Sequence, residues 1–161
     1  MSVLLWTSNL SIGIDVIDNQ HRRIVAMINL LRTTKRRGGA DMIGAVINDL
    51  VDYMMSHFAF EEALMEDVGY PMARAHKRVH DLLIKHVTEC QQRFREGEDT
   101  ADELNGLLSR WLFDHILHHD AAYAGPVKAR MREMVRDRRI GGWLSRSLRQ
   151  HFPTAFLEHR A

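Results

Sequence analysis

The sequence predicts an all-α protein, an antiparallel up-down-up-down four-helix bundle followed by a basic C-terminal extension that is expected to be helical. Apolar residues recur at spacings of three and four in four successive blocks, which is the helical period. The loops between these blocks are short, which favours antiparallel neighbours. Strand signals are nearly absent before residue 125. The 161 residues suffice for one domain with an appendage.

Glycine and proline mark the ends of the predicted helices. Gly38 and Gly39 end the first helix, Gly69 and Pro71 separate the second from the third, and Gly97 ends the third. The four predicted helices span about residues 19–36, 41–66, 71–94 and 101–123.

Charge divides the chain into two parts. Residues 125–161 contain nine Lys or Arg against three Asp or Glu, a balance of +6, which leaves −5 for residues 1–124 because the whole chain carries +1. Gly125 and Pro126 lie at this change of composition. The sequence therefore predicts a bundle domain over 1–124, with an N-terminal loop over 1–17, and a basic extension over 125–161.

Cysteine content and the absence of targeting motifs in the sequence limit the expected location and partners of the protein. A single cysteine, Cys90, excludes an internal disulfide and is typical of a reducing compartment, and no signal peptide or membrane span is evident, so a cytoplasmic location is expected. No base-reading motif for nucleic acid is present. The extension either packs on the bundle or frays, or it docks to a protein partner or an anionic membrane surface.

The predicted inward faces of the helices carry histidines and carboxylates at positions where a core normally has Leu or Ile. These residues are His21, His57, Glu61, His76, His80 and His115. One such histidine is usually a packed core residue, but each buried polar group without a partner costs about 1–3 kcal/mol. A set of five imidazoles with carboxylate is therefore better explained by a metal site than by packing.

The composition of this set favours iron. A tetrahedral zinc site takes four ligands, which is fewer than the set offers, and no thiolate is available. Imidazole together with carboxylate suits iron, and carboxylates from bundle helices bridge di-iron centres.

Four segments carry a resemblance to a known family. They are WTSNLSIGIDVIDNQH (6–21), HFAFEE (57–62), HKRVH (76–80) and WLFDHILHHD (111–120). Together they resemble the hemerythrin family, specifically its bacterial single-domain type, over about residues 6–123.

The resemblance implies a cofactor of two iron ions per chain. His76, His80 and His115 would bind one iron, His21 and His57 the other, and Glu61, Asp120 and an oxo or hydroxo group would bridge them. One coordination position is left open for dioxygen. The oxygen pocket would be lined by Phe58, Trp111, Leu112 and Ile116.

The implied function is reversible dioxygen binding for storage, transport or delivery to an oxygen-using enzyme, without catalysis. Two alternatives remain open at this point. One is a sensor of oxygen, redox state or nitric oxide that signals through the extension. The other is a di-iron enzyme, such as a peroxidase or a nitric oxide reductase. A monomer is favoured over an oligomer.

Asp120 presents a geometric difficulty. It follows His115 by five residues, so at about 100° per residue the two side chains diverge by roughly 140° on a regular helix. Either the helix is locally widened or His118 or His119 takes the place of Asp120. Family spacing favours Asp120, so a π-bulge is predicted between about residues 112 and 120, with both of those histidines turned away from the site.

Overall fold

The computed structural model describes residues 3–136 and 141–152, and the all-α prediction is confirmed there. No strand occurs in these two ranges. A short 3-10 helix at Ser8–Leu10 precedes α1 (Asp15–Arg37), α2 (Ala40–Asp67), α3 (Ala73–Arg95), α4 (Ala101–His115), a π-helical segment (Ile116–Asp120), α5 (Ala121–Arg136) and α6 (Gly141–His151).

The first four helices close a ring around one core. α1 packs against α2 and α4, and α3 packs against the same two helices from the other side. Each helix turns an apolar stripe inward, with Ile28, Leu50, Val87 and Leu108 all at most 1% exposed. The predicted bundle is therefore the observed architecture. Among the described residues, no helix is both long enough and apolar enough to cross a bilayer.

The N-terminal segment is tied down over the start of α1. The Asp18 carboxylate accepts hydrogen bonds from the Ser11 hydroxyl (2.5 Å) and from the Ile12 amide (2.9 Å). Gly13 turns the chain between them with φ of +75°, a conformation that side-chain-bearing residues avoid. This anchoring lets α1 begin at Asp15, four residues earlier than predicted.

The predicted end of the fourth helix at about residue 123 was wrong. The π segment leads directly into α5, which passes through Gly125 and Pro126 and reaches Arg136. A proline destabilises a helix least where the helix faces water, because the carbonyl left without a helical partner can bond to water instead. Here that carbonyl belongs to Ala122, and both Ala122 and Pro126 are exposed. Val127, one residue further, is fully buried. The division of the chain near residue 124 stays a prediction.

The last described part of the extension packs against the bundle. Phe152 is 8% exposed, with its ring centroid 5.3 Å from that of Tyr53 and 6.1 Å from that of Phe60 on α2. Leu148 packs against the same core. The packing interpretation of the extension is thus confirmed for these two residues. Its residues 137–140 and 153–161 lie outside the described residues.

Replacing Phe152 with alanine is expected to lower the free energy of unfolding by about 3 kcal/mol, the lower end of the usual cost for a buried phenylalanine. The ring packs against Tyr53 and Phe60 on α2, so its loss should also expose α6 to hydrogen exchange. Denaturant unfolding and exchange of the α6 amides measure both effects. The matched control is Leu82→Ala, which is 64% exposed and should change stability by less than about 0.5 kcal/mol. Equal effects of the two substitutions would contradict the docking of α6.

Candidate metal centre

All seven predicted ligands converge in the interior. α1 contributes one, α2 two, α3 two, α4 one and the π segment one, and none of the seven is more than 5% exposed. They are His21, His57, Glu61, His76, His80, His115 and Asp120. The structure therefore brings together every residue that the sequence singled out, while their role as ligands stays a prediction.

The candidate ligands form two overlapping groups. In the larger group, one ligating atom from each residue lies within 4.8 Å of all the others; its members are Glu61, His76, His80, His115 and Asp120. The smaller group meets the same limit and contains His21, His57 and Glu61. Because Glu61 belongs to both, its carboxylate lies where two metal positions would meet.

Asp120 also reaches both groups. Its Oδ1 lies 3.0 Å from Nε2 of His115 and 3.2 Å from Nε2 of His76. Its Oδ2 lies 3.2 Å from Nε2 of His21, a member of the other group. One carboxylate oxygen thus faces each side.

The unmet hydrogen-bonding capacity of the cluster suits a metal. Among the described side chains, His21 Nε2, His76 Nε2, Glu61 Oε2 and both carboxylate oxygens of Asp120 are buried without a hydrogen-bond partner. Leaving such groups unpaired costs about 1–3 kcal/mol each, and more if charged. The Nε2 atoms of His80 and His115 approach to 3.1 Å, two nitrogens aimed at one point. Imidazole nitrogens and carboxylate oxygens are the ligands that iron accepts.

The π-helical segment explains how Asp120 joins the cluster, and the predicted widening is confirmed. Ile116–Asp120 forms one π turn, which adds a residue to the turn and brings the side chains at positions 115 and 120 to the same face. His118 is exposed, and its Nδ1 contacts the Asp114 carbonyl oxygen at 3.0 Å. His119 stacks on the outer side of His115, with ring centroids 5.1 Å apart. Neither histidine belongs to the two ligand groups, as predicted.

Three residues that contact the ligands were missed by sequence analysis. Nδ1 of His57 lies 2.8 Å from Oε1 of Gln20, and Nδ1 of His80 lies 3.0 Å from Oε1 of Glu62. The Tyr123 hydroxyl donates to Oε1 of Glu61. Gln20 and Glu62 directly adjoin ligands in the sequence, and that adjacency was the available signal. Tyr123 lies three residues after Asp120, one helical turn along the same face.

Burial and mutual charge shift the ionisation of the cluster strongly. Desolvation lowers the pKa of His57 to about 3, against the attraction of Glu61. Burial and Asp120 would raise the pKa of Glu61, but His57 and His80 outweigh them and hold it at about 2. Burial disfavours the charged form of His80, yet the neighbouring carboxylates of Glu61, 3.4 Å away, and Glu62, 3.0 Å away, raise its pKa to about 9. Anionic carboxylates among imidazoles attract a cation.

The four predicted pocket residues surround one side of the cluster. Phe58 stacks on His80 with ring centroids 3.9 Å apart, and Trp111 stacks on His115 at 4.1 Å. Leu112 and Ile116 are each 1% exposed. This side of the site is apolar and closely packed, while the lining of an oxygen pocket by these residues stays a prediction.

Taken together, a four-helix bundle with a buried histidine from each helix, and with carboxylates from α2 and the π segment, defines a metal-binding bundle protein. The chain matches the family model for the hemerythrin HHE cation binding domain over residues 12–125. By this match it belongs to the hemerythrin family, non-haem iron proteins that bind oxygen at a di-iron centre. The resemblance found in the sequence is thereby confirmed.

Individual relatives agree with the family match. The chain is 55% identical to the bacteriohemerythrin of Pseudomonas paraeruginosa over 152 residues, which cover 94% of this chain and 99% of that protein. It is 33% identical to the bacteriohemerythrin of Methylococcus capsulatus, over 78% of this chain and 97% of that protein. A crystal structure of wild-type hemerythrin is 30% identical and has a TM-score of 0.75, covering 78% of this chain and 98% of that one.

Replacing Asp120 with asparagine is expected to reduce the bound iron from two ions per chain to one or none. Asparagine keeps the shape of the side chain but removes the charge and turns one oxygen into a donor that faces imidazole nitrogens 3.0–3.2 Å away. Iron analysis after anaerobic reconstitution measures the effect. His118→Ala, in the same π turn but exposed, should keep both irons. Full iron content in the Asp120 variant would contradict the ligand assignment.

Proposed function

We propose that this protein binds dioxygen reversibly at a di-iron centre and stores it or delivers it to an oxygen-using enzyme. His76, His80 and His115 hold one iron, and His21 and His57 hold the other. Glu61, Asp120 and an oxo or hydroxo group bridge the pair. The observation that carries the proposal is that Glu61 lies within ligand distance of both groups of histidines.

Counting ligands leaves one position for a gas molecule. The first iron receives three nitrogens, two carboxylate oxygens and the bridge, which fills an octahedron. The second receives two nitrogens, two carboxylate oxygens and the bridge, which leaves one position open. A ferrous pair supplies the electrons that reversible dioxygen binding requires.

The surrounding side chains favour release of dioxygen over its consumption. The apolar Phe58 ring borders both proposed iron positions, with its centroid 3.9 Å from that of His80 and 5.5 Å from that of His57. A dry surround withholds the protons that would divert bound oxygen into side reactions. The buried hydroxyl of Tyr123 donates its proton in a hydrogen bond to Glu61. None of these groups is placed as an acid or base for catalysis.

A sensor is the second candidate, because the extension contacts a ligand-bearing helix. Phe152 packs against Phe60, the residue directly before Glu61. A change at the iron centre that moves α2 would therefore reach α6. In a carrier, α6 should show the same hydrogen-exchange protection in the ferrous, oxygenated and ferric proteins. In a sensor, its protection should change with iron state.

Stopped-flow mixing of the diferrous protein with dissolved dioxygen tests the proposed function. A carrier should develop a visible charge-transfer band that disappears on argon purging and returns when oxygen is added again. Irreversible conversion to the diferric protein would refute reversible binding and support a sensor or an enzyme. The His86→Ala variant provides the control, because His86 is exposed on α3 and should leave the traces unchanged.

A further inference from the structure

Two of the candidate ligands are anchored by acceptors of unequal charge. The Nδ1 atom of His57 contacts a neutral amide, Oε1 of Gln20, at 2.8 Å. The Nδ1 atom of His80 contacts a carboxylate, Oε1 of Glu62, at 3.0 Å. His57 and His80 belong to opposite sides of the cluster, so the difference in charge distinguishes the two proposed iron positions.

Each contact selects the ring tautomer that can bind a metal. A neutral imidazole that offers its Nε2 lone pair must carry its proton on Nδ1, and that proton needs an acceptor. In its ionised form, the Glu62 carboxylate accepts hydrogen bonds and donates none. Gln20 must turn its carbonyl oxygen toward His57, which leaves its own Nε2 buried without a partner among the described side chains. The Gln20 amide thus supplies a hydrogen-bond acceptor without negative charge, although one of its own donors is left unpaired.

The residues around Gln20 and Glu62 preserve the difference in charge between the two acceptors. Gln20 is 5% exposed on α1, and its side-chain amide brings no charge to His57. The Glu62 side chain is 19% exposed, and its Oε2 lies 3.1 Å from Nζ of Lys77. The Lys77 ammonium thus provides a partner of opposite charge for this carboxylate. The His80 side is therefore built to carry a negative charge, and the His57 side is built without one.

We propose that Gln20 and Glu62 are positioning residues that make the two irons electronically unequal, with neutral Gln20 favouring the ferrous state at the open, oxygen-binding position. This inference rests on the proposed function. A carboxylate hydrogen-bonded to a ligand imidazole makes the imidazole a stronger electron donor, which stabilises the ferric state. Gln20 withholds that donation from the iron held by His57. Glu62 supplies it to the iron held by His80, which never meets dioxygen directly.

The experiment exchanges the two acceptors in the full chain, using Gln20→Glu, Glu62→Gln and the double exchange. Iron content is measured first, then the reduction midpoint of the diferric protein, the rate of autoxidation and the Mössbauer spectrum. Gln20→Glu should still bind two irons. Its reduction midpoint should fall by about 59 mV per electron, which favours the oxidised state about tenfold at equilibrium, and its autoxidation rate should rise about tenfold. Its Mössbauer change should fall on the five-coordinate iron. Glu62→Gln should raise the midpoint and change the six-coordinate iron instead.

Two further variants separate positioning from general damage. Gln20→Leu removes the acceptor and should weaken binding of the second iron by about 10–100-fold, whereas Gln20→Glu should restore iron content. Gln150→Glu adds the same charge at an exposed position on α6 and should change nothing.

The outcomes also distinguish the inference from the function on which it rests. If the unmodified protein fails to bind two irons, the proposed function fails. If it binds two irons and Gln20→Glu leaves the midpoint and the spectrum unchanged, only the inference is overturned. A Mössbauer change on the six-coordinate iron in Gln20→Glu would overturn it as well.

Discussion

Replacing Glu61 with alanine is expected to leave the protein with almost no bound iron. The Glu61 carboxylate belongs to both ligand groups, so its removal takes one ligand from each proposed iron at once. Removal of a single histidine takes a ligand from only one. The substitution also leaves the Tyr123 hydroxyl, which is fully buried, without its acceptor. Iron per chain after anaerobic reconstitution and removal of free metal should fall well below one, since both proposed sites lose a charged ligand at once.

Two comparisons give this prediction its meaning. His86→Ala, on an exposed face of α3, should keep both irons. His57→Ala should lose the iron of the smaller group and retain part of the other. Retention of one full iron by Glu61→Ala would show that Glu61 serves a single metal, and the bridging proposal would then be wrong.

Removal of iron is expected to lower the midpoint of thermal unfolding by about 8–16 °C. A ligand at a thousand times its dissociation constant stabilises the folded state by about 4 kcal/mol, and each kcal/mol moves the midpoint by about 2–4 °C for a protein of this size. Seven buried polar atoms of the candidate ligands have no hydrogen-bond partner among the described residues. Five of them are candidate metal-binding atoms: His21 Nε2, Glu61 Oε2, His76 Nε2 and both carboxylate oxygens of Asp120. Iron satisfies these atoms in the folded state only. Calorimetry with and without an iron chelator measures the difference.

The Glu61→Ala variant tests whether this stabilisation comes from the cluster. Its midpoint should be the same with and without iron, because it no longer binds the metal. A similar gain in both proteins would mean that iron binds elsewhere. No difference in the unmodified protein would mean that the cluster is stable without a metal, contrary to the cost expected for its unpaired buried atoms.

Most of the fold and the candidate ligand set could be predicted because both rest on periodicity. His57 and Glu61 are four residues apart, as are His76 and His80, so each pair shares a helix face with its apolar neighbours. His115 and Asp120 break this rule. The conflict between their spacing and the family pattern itself indicated a widened turn, and the π segment lies within the predicted range.

What the sequence did not reveal depends on contacts between helices. Gln20 and His57 lie on different helices, so the 2.8 Å contact between them leaves no periodic signal. The hydroxyl of Tyr123 meets Glu61 across 62 positions of chain for the same reason. Pro126 suggested a helix end because its effect on the backbone is local, whereas its tolerance here depends on which side of the helix faces water.

The π turn also has a consequence for the gene. In a regular helix, the inward positions after His115 would fall near residues 119, 122 and 126, but the buried residues are Asp120, Tyr123 and Val127, each one position later. The extra residue therefore shifts the phase of everything that follows and places Pro126 on the outside. At the level of DNA, one codon separates this helix from an unbroken one.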